Sequence, residues 1–291
     1  MTADALKSLG QLRICVPTLN RVERQIFVRN MPRELHSFVH WYAPAAECAE
    51  LQRVWKGTNA SPTTQEGHMG NKRQTMLDDS KGMVVMVDDD VRVMRAAWDS
   101  DKKQVKANGY LDATDLDGWV AFFAEMKANI RAGFGMVGVT YQSQIWQVSR
   151  RSFTHRVQGP TRLWGIYALN AKMARKFKFR FDHLRCMEDF DYNLQLLRSG
   201  VPTCAMTGHC WSQPGSNVDG GCSTYRTALV QKDAAVGLSE RHSEYVKLVE
   251  KESGWGGGLE KRFDCRISWQ KASFDADCPD VSSLAPRYEY R

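Results

Sequence analysis

The stretch Met83-Val84-Val85-Met86-Val87 is apolar at every position and ends abruptly on Asp88-Asp89-Asp90. Five apolar residues without alternation describe a strand covered on both faces, not one with a wet side. Such a strand needs helices above and below it, so the run argues for a layered α/β protein. Its carboxyl end is the harder problem. Three adjacent carboxylates repel one another, and burying any of them without a partner is costly. A divalent cation bound to substrate phosphates is the economical counter-charge. A solvated acidic turn is the plainer alternative on these residues alone.

The rest of the chain alternates strand and helix. LRICV (12–16) reads as a first strand with Leu12, Ile14 and Val16 on one face, and SFVHWY (37–42) as a second. AAECAELQRVW follows as a helix with Cys48, Leu51, Val54 and Trp55 on one stripe. Residues 56–70 are small, polar and turn-forming, which predicts a loop. NKRQTMLDDS is a short helix opened by Asn71. LDGWVAFFAEMKANIRAG is a helix capped by Asp117, with Val120, Phe123, Met126 and Ile130 inward and Gly133 as its stop. GMVGVTYQ and RLWGIYALN are strands, EDFDYNLQLLRSG is a helix with Phe190, Leu194 and Leu197 inward, and VPTCAM is a strand. It leads into a long Gly-rich loop, TGHCWSQPGSNVDGGCSTYR, then a helical stretch from Thr227 broken near Gly237, and a late strand, RFDCRISWQ. The expectation is a Rossmann-like, mainly parallel sheet flanked by helices, one large domain over residues 1–270 with a tail at 271–291. Ligands on such sheets bind at the carboxyl ends of the strands, which places Pro17-Thr18-Leu19-Asn20-Arg21 and the three aspartates in one crevice.

Composition narrows the class. No apolar run approaches the ~20 residues of a membrane span. The N-terminus lacks a basic region followed by a long apolar one, so no secretory signal and no membrane partner are expected. The eight cysteines form no CxxC pair, which disfavours structural zinc and suits reduced core thiols in the cytoplasm. A formal net charge of +7 suits a polyanionic partner.

Several motifs carry chemistry. The phosphate loops GxGxxG and GxxxxGK[ST] are absent, yet the strand-end turn 17–21 offers hydroxyl, amide and guanidinium groups for a nucleobase and phosphate. On these residues alone an ordinary βα turn is the better reading. Lys72 and Arg73 at a helix start oppose the helix dipole, which an anion held there would explain; a solvated basic end is the alternative. Glu188, Asp189 and Asp191 crowd a helix start, where the dipole itself favours acids. Functionally, a carboxylate there can serve as general base towards an acceptor hydroxyl. His209, directly after a predicted strand, is a metal ligand or a packing residue. GGCSTYR (220–226) offers backbone N–H groups and Arg226 to a diphosphate. SRRSFTHR puts Arg150, Arg151, His155 and Arg156 in one polar loop, which leans towards phosphate binding. RKFKFRF (175–181) interleaves basic and aromatic residues, as nucleic-acid surfaces do. An amphipathic strand with its Phe face in the core is the preferred reading there.

In order along the chain, ICVPTLNR, GNKRQTMLD, VVMVDDD, WGIYALN, MEDFDYNLQLLRSG and GHCWSQ…GGCSTYR resemble a glycosyltransferase of the GT-A fold. More narrowly, they are similar to the TET-associated glycosyltransferases of bacteriophages, which add sugar to 5-hydroxymethylcytosine in phage DNA. The resemblance runs over residues 12–226. It implies a GT-A-type sheet, a UDP-sugar donor, Mn²⁺ or Mg²⁺ as metal, and a DNA acceptor in the host-cell cytoplasm. It further implies that Pro17, Thr18, Asn20 and Arg21 hold the nucleoside, and that Lys72 and Arg73 touch base or diphosphate. Asp88 and Asp89, with Trp164 and Gly165, would meet the ribose or sugar. Asp90 and His209 would bind the metal, Glu188 or Asp189 would act as base or grip the sugar, and Arg226 would steady the leaving diphosphate. Arg150, Arg151, His155 and Arg156 would meet DNA. Two other enzyme classes fit the same acids: a GT-A enzyme acting on a saccharide or protein, and a metal-dependent nucleotidyltransferase. A non-enzymatic DNA-binding protein leaves both acidic clusters unexplained.

Overall fold

A computed structural model of the chain describes residues 2–63, 68–214, 226–252 and 261–286. Ten strands form one sheet. In chain order they are β1 (Arg13–Pro17), β2 (Val39–Pro44), β3 (Asn59–Thr63), β4 (Met83–Val87), β5 (Arg92–Asp99), β6 (Gln104–Tyr110), β7 (Met136–Tyr141), β8 (Val157–Gln158), β9 (Ile166–Asn170) and β10 (Thr203–Ser212). Their spatial order is β3-β2-β1-β4-β9-β7-β10-β5-β6, with β8 paired to β10. β1, β2, β3, β4, β6, β7 and β10 point one way, and β5, β8 and β9 the other. The sheet is therefore mostly parallel, as expected, with β9 inserted antiparallel between β4 and β7. Two further strands, β11 (Val246–Glu252) and β12 (Lys261–Ile267), make a separate antiparallel ribbon.

β4 sits at the centre and is buried on both faces. Val85 and Val87 point into one core with Ile14, Val16, Trp41, Trp119, Phe122, Phe123 and Met126. Val84 and Met86 point into the other with Met76, Leu77, Tyr167, Tyr192 and Leu196. The first core is covered by the Leu116–Arg131 helix, the second by the Met69–Asp78 and Glu188–Arg198 helices. Full burial of each such valine or leucine side chain contributes about 1.5–3 kcal/mol, so both apolar faces of β4 hold the layers together.

Several local expectations are corrected. Residues 56–70 are not all loop: β3 pairs along β2 from His40–Asn59 to Pro44–Thr63. Its sequence, NASPT, has turn composition, but an edge strand can be made by backbone pairing alone. The next helix opens at Met69 with His68 as cap, so Asn71, Lys72 and Arg73 lie inside it. Asp115, not Asp117, caps the Leu116–Arg131 helix by accepting from Gly118 N. SRRSFTHR is a short helix, Arg150–His155, capped by Ser149, and not a loop. RKFKFRF is the end of the Ala171–Phe177 helix followed by a left-handed turn at Lys178, and not a strand; Phe179 and Phe181 still reach the core. The Ala228–Arg241 helix runs through Gly237 unbroken, and the chain beyond it is β11. The β5–β6 hairpin had no counterpart in the sequence reading. The GWGGG stretch at 254–258, whose composition predicts a loop, and residues 220–225 lie outside the described residues.

Among the described residues no helix is long and apolar enough to cross a membrane. The seven described cysteines are free, and Cys15, Cys186, Cys204 and Cys210 are buried, as core thiols should be; Cys222 lies outside the described residues. Residues 269–285 return to the body, with Ala272 buried and Val281, Leu284 and Ala285 against the main core.

Candidate active site

The ends of β1 and β4 are neighbours, and their loops meet. Thr18 Oγ1 donates to Asp89 Oδ2 at 3.1 Å, and Arg21 Nη1 reaches Asp89 Oδ1 at 2.9 Å and Asp90 Oδ2 at 3.5 Å. Gln25 Nε2 fixes this turn by donating to Thr18 Oγ1 and to the Arg21 carbonyl, both at 2.8 Å. Asn20 adopts left-handed backbone (φ 57°), a conformation asparagine tolerates, and its N–H donates to the Glu47 carboxylate at 3.0 Å. The turn at 17–21 and the carboxylates at 88–90 are therefore in direct contact.

Arg73 joins the second acidic group to the first. Its guanidinium, buried over the Tyr167 ring, meets Asp88 Oδ1 at 2.9 Å, Glu188 Oε1 at 2.7 Å and Asp189 Oδ2 at 3.8 Å. The anions that hold this cation are thus the protein's own carboxylates. Lys72, beside it, is also buried. Asp88 N donates to Gly165 O at 2.9 Å. Gly165 has φ +70°, and a Cβ there would lie 2.2 Å from the Trp211 ring, so no other residue fits. Trp164 next to it packs on Tyr141 (4.9 Å between centroids) and Trp211 (4.6 Å).

Charge crowding shows in the acids. Burial, reinforced by Asp88 and Asp89, pushes Asp90 up to about 7 against the pull of Arg21. Burial likewise pushes Asp89 up to about 6, with Arg21 and the Thr18 hydroxyl opposing. Glu188 rises to about 7 through burial, with Arg73 opposing. Arg21 and Arg73, with Arg162 acting on Asp189, stand against five carboxylates here, so negative charge is in excess among these groups. Among the described residues no three His, Cys, Asp or Glu side chains converge as a preformed metal cage. The donor set fits a hard cation that takes one or two carboxylates from the protein and its other oxygens from phosphates and water.

Other expected residues go elsewhere. β10 runs on through Ser212, so His209 is part of the strand and does not follow it. It pairs with Arg95, three residues, or about 10 Å, below the Ser212–Arg92 pair that marks the rim. Its ring lies edge-on to Phe122, with Nδ1 3.6 Å from Glu125 Oε2. His209 is therefore not brought to the aspartates. Arg156 is corrected in the same way: Nε donates to Glu125 Oε1 at 2.9 Å and Nη2 to Oε2 at 2.5 Å, so its guanidinium is engaged by a buried carboxylate. Glu125 is buried, yet His209 and Arg156 hold its carboxyl below the usual range. Arg150, Arg151 and His155 remain exposed. Arg226 donates to Gln231 Oε1 at 3.1 Å, while the rest of its expected loop lies outside the described residues.

Asp191 separates from its neighbours. It is fully buried and has other partners, 2.8 Å from both Arg241 Nε and His242 Nε2 and 3.0 Å from His183 Nδ1. Against its burial, these bonds bring the carboxyl down to about 2. Because the folded value is depressed, its stabilisation is present above the unfolded value of 3.8 and is lost as pH falls through about 2. We expect the parent to lose roughly 2 kcal/mol from this group between about pH 5 and pH 2. Asp191→Asn should be less stable at neutral pH and lack that part of the acid slope. Identical pH dependence of unfolding in the two proteins would contradict this role.

Sequence reading missed Gln25 and Arg162. Arg162 lies over the rings of Trp164 (4.5 Å) and Phe190 (4.6 Å), close enough to Asp189 and Arg226 for each to act on its charge. Its signal was weak: one cation two residues before the Trp-Gly pair. Gln25 had no signal, because its role depends on a turn folding back.

No protein-family model and no curated protein matches the sequence. Solved structures with a similar chain path include the mannosyltransferase PcManGT from Pyrobaculum calidifontis in complex with GDP-Man and Mn²⁺. That likeness has 13% identity and a TM-score of 0.46, over 83% of this chain and 70% of that one. Mannose-1-phosphate geranyltransferase from Thermus thermophilus is similar at 11% identity and TM-score 0.37, over 69% and 76%. GalNAc-T7 with UDP, GalNAc and Mn²⁺ is similar at 12% identity and TM-score 0.43, over 79% of this chain and 48% of that one. Likenesses this distant assign no chemistry to this chain.

Proposed function

We propose that the protein is a metal-dependent GT-A glycosyltransferase that moves a sugar from a UDP-sugar to the hydroxyl of 5-hydroxymethylcytosine in DNA. The observation that carries this reading is Arg73, which ties Asp88 at a strand end to Glu188 and Asp189 at a helix start. One crevice then offers acids for a metal-bound diphosphate and, opposite, acids for an acceptor hydroxyl.

In this reading Pro17, Thr18, Asn20 and Arg21 cradle the nucleoside, and Asp88, Trp164 and Gly165 border the sugar. Asp89 braces the turn through Thr18 and Arg21. Asp90 is the protein's ligand for Mn²⁺ or Mg²⁺, which when bound stabilises negative charge on the leaving diphosphate. Arg226 and Arg162 supply positive charge beside it. Glu188 is anchored by Arg73, whereas the Asp189 side chain is the more exposed of the two, 12% against 5%. Asp189 is therefore the better-placed base. It takes the proton of the acceptor hydroxyl as the bond from the anomeric carbon to the diphosphate breaks and the bond to the acceptor oxygen forms.

The exposed cations Arg150 and Arg151, with His155 exposed beside them and a net charge of +7, support a polyanionic acceptor. Every phosphate that a variant no longer neutralises lowers the salt slope of DNA binding by about 0.9. Arg150→Ala with Arg151→Ala should weaken DNA binding and flatten its salt dependence by roughly one to two units, with UDP affinity as the donor-side control. Parallel salt lines for variant and parent would remove these residues from the DNA site. No DNA binding by the parent would favour a saccharide or protein acceptor.

A further inference from the structure

The β5–β6 hairpin forms the edge of the sheet far from β3 and carries aromatic side chains that the transfer chemistry leaves unused. Tyr110 is 51% exposed and Trp146 is 58% exposed. Their placement follows from register. Met94 pairs with Tyr110 and, across a break in register, Ala96 pairs with Ala107 and Trp98 with Val105, and directly paired residues share a face of the sheet. Met94, Val105, Ala96, Trp98 and Ala107 pack with Ile145, Val148 and Phe153. Tyr110 is thus on the face covered by the Gln142–Gln147 turn, which carries Trp146, and by the Arg150–His155 helix. Cations stand at both ends of this face: Arg92 lies 5.9 Å from the Tyr110 ring centroid, and Arg150 5.1 Å from that of Trp98.

The face also has a fixed relation to the crevice. β4, β6 and β7 point the same way. Tyr110 ends β6, Gln142 follows the end of β7, and Arg92 opens β5 two residues after Asp90. All three therefore stand on the sheet rim that carries Asp88, Asp89 and Asp90. From that rim to the Trp98–Val105 pair the hairpin spans about 17 Å.

We propose that the exposed margin of this covered face, from Arg92 and Tyr110 at the rim over Trp146 on the covering turn to Arg150 on the covering helix, is a track for a single-stranded stretch of nucleic acid, whose bases stack on Tyr110 and Trp146 and whose phosphates meet Arg92 and Arg150. The proposal rests on the DNA-acceptor reading and deepens it, since an extruded or unpaired base beside the rim is what a transfer to a base hydroxyl requires. A neutral glycan would also stack on exposed rings but would gain nothing from a cation at each end; a strand uses both.

The test is anisotropy of a labelled single-stranded oligonucleotide containing 5-hydroxymethylcytosine, and of the same sequence as duplex, across a salt series. The parent should bind the single strand more tightly. Trp146→Ala and Tyr110→Ala should each weaken it about tenfold, with the salt slope unchanged because neither ring neutralises a phosphate. Trp146→Phe, which keeps a ring, should restore most of the affinity, and decides the matter if the alanine variant melts early. Equal affinity in parent and both alanine variants, salt-independent binding, or no binding by the parent would overturn the track. UDP titration with Mn²⁺ separates the two readings. Strand binding without metal-dependent UDP binding upholds the track and sinks the transferase, and the reverse pattern does the opposite.

Discussion

Asp90→Ala is expected to abolish sugar transfer and metal-dependent UDP binding while the protein stays folded. Asp89 is held by Thr18 and Arg21 and its side chain is 5% exposed, whereas the Asp90 side chain is 22% exposed and has only a 3.5 Å contact with Arg21. Burial and its two neighbours raise Asp90 to about 7, so its negative charge is under-compensated in the protein alone. A divalent cation at this carboxylate removes that deficit, and the same cation neutralises charge on the leaving diphosphate. Deleting the carboxylate removes a repulsive neighbour, so the unfolding temperature should not fall. Transfer rate and UDP affinity with and without Mn²⁺ are the measurements. Unchanged turnover, or full activity in chelator, would contradict the metal's role.

The second large effect is expected at the helix start. Loss of a general base typically costs about 10² to 10⁴ in rate. At least one of Glu188→Gln and Asp189→Asn should fall in that range with UDP affinity kept, and Asp189→Asn is the stronger candidate. Glu188→Gln acts differently: it keeps an acceptor 2.7 Å from Arg73 but removes its charge, which leaves the guanidinium to Asp88. The expected signature is therefore a slower chemical step for Asp189→Asn, and a change in donor affinity as well as rate for Glu188→Gln. Normal turnover in both variants would place proton transfer elsewhere.

The sheet's centre was legible because apolar runs at β1, β4 and β7 leave few alternatives, and the helices because their stripes have helical period. The hairpin β5–β6 was not: its faces mix Arg, Lys and Ala with Val and Trp, and one face is covered late by a helical turn. β3 was hidden because backbone pairing, not side-chain character, makes it a strand. The crevice was legible at Thr18, Arg21 and Asp88–Asp90, since strand-end loops of one sheet must meet. Arg73 was singled out, but its anion was misassigned: tertiary packing brings Asp88, Glu188 and Asp189 to it from 15 or more residues away. His209 was misplaced because a Gly-containing TGHC stretch reads as a loop, whereas β10 passes through it with a local break in register between Met206 and Cys210. Asp191 looked like a third catalytic acid by position, and only its partners reveal a structural one.

The most direct test of the central claim is mass spectrometry of hydroxymethylated and unmodified DNA after incubation with a panel of nucleotide sugars and Mn²⁺. The predicted result is a hexose-sized mass added to 5-hydroxymethylcytosine from one UDP-sugar, in hydroxymethylated DNA alone and only with metal present. Transfer of a nucleotide in place of a sugar, or no addition to DNA with the same donors consumed on a saccharide or protein, would contradict it.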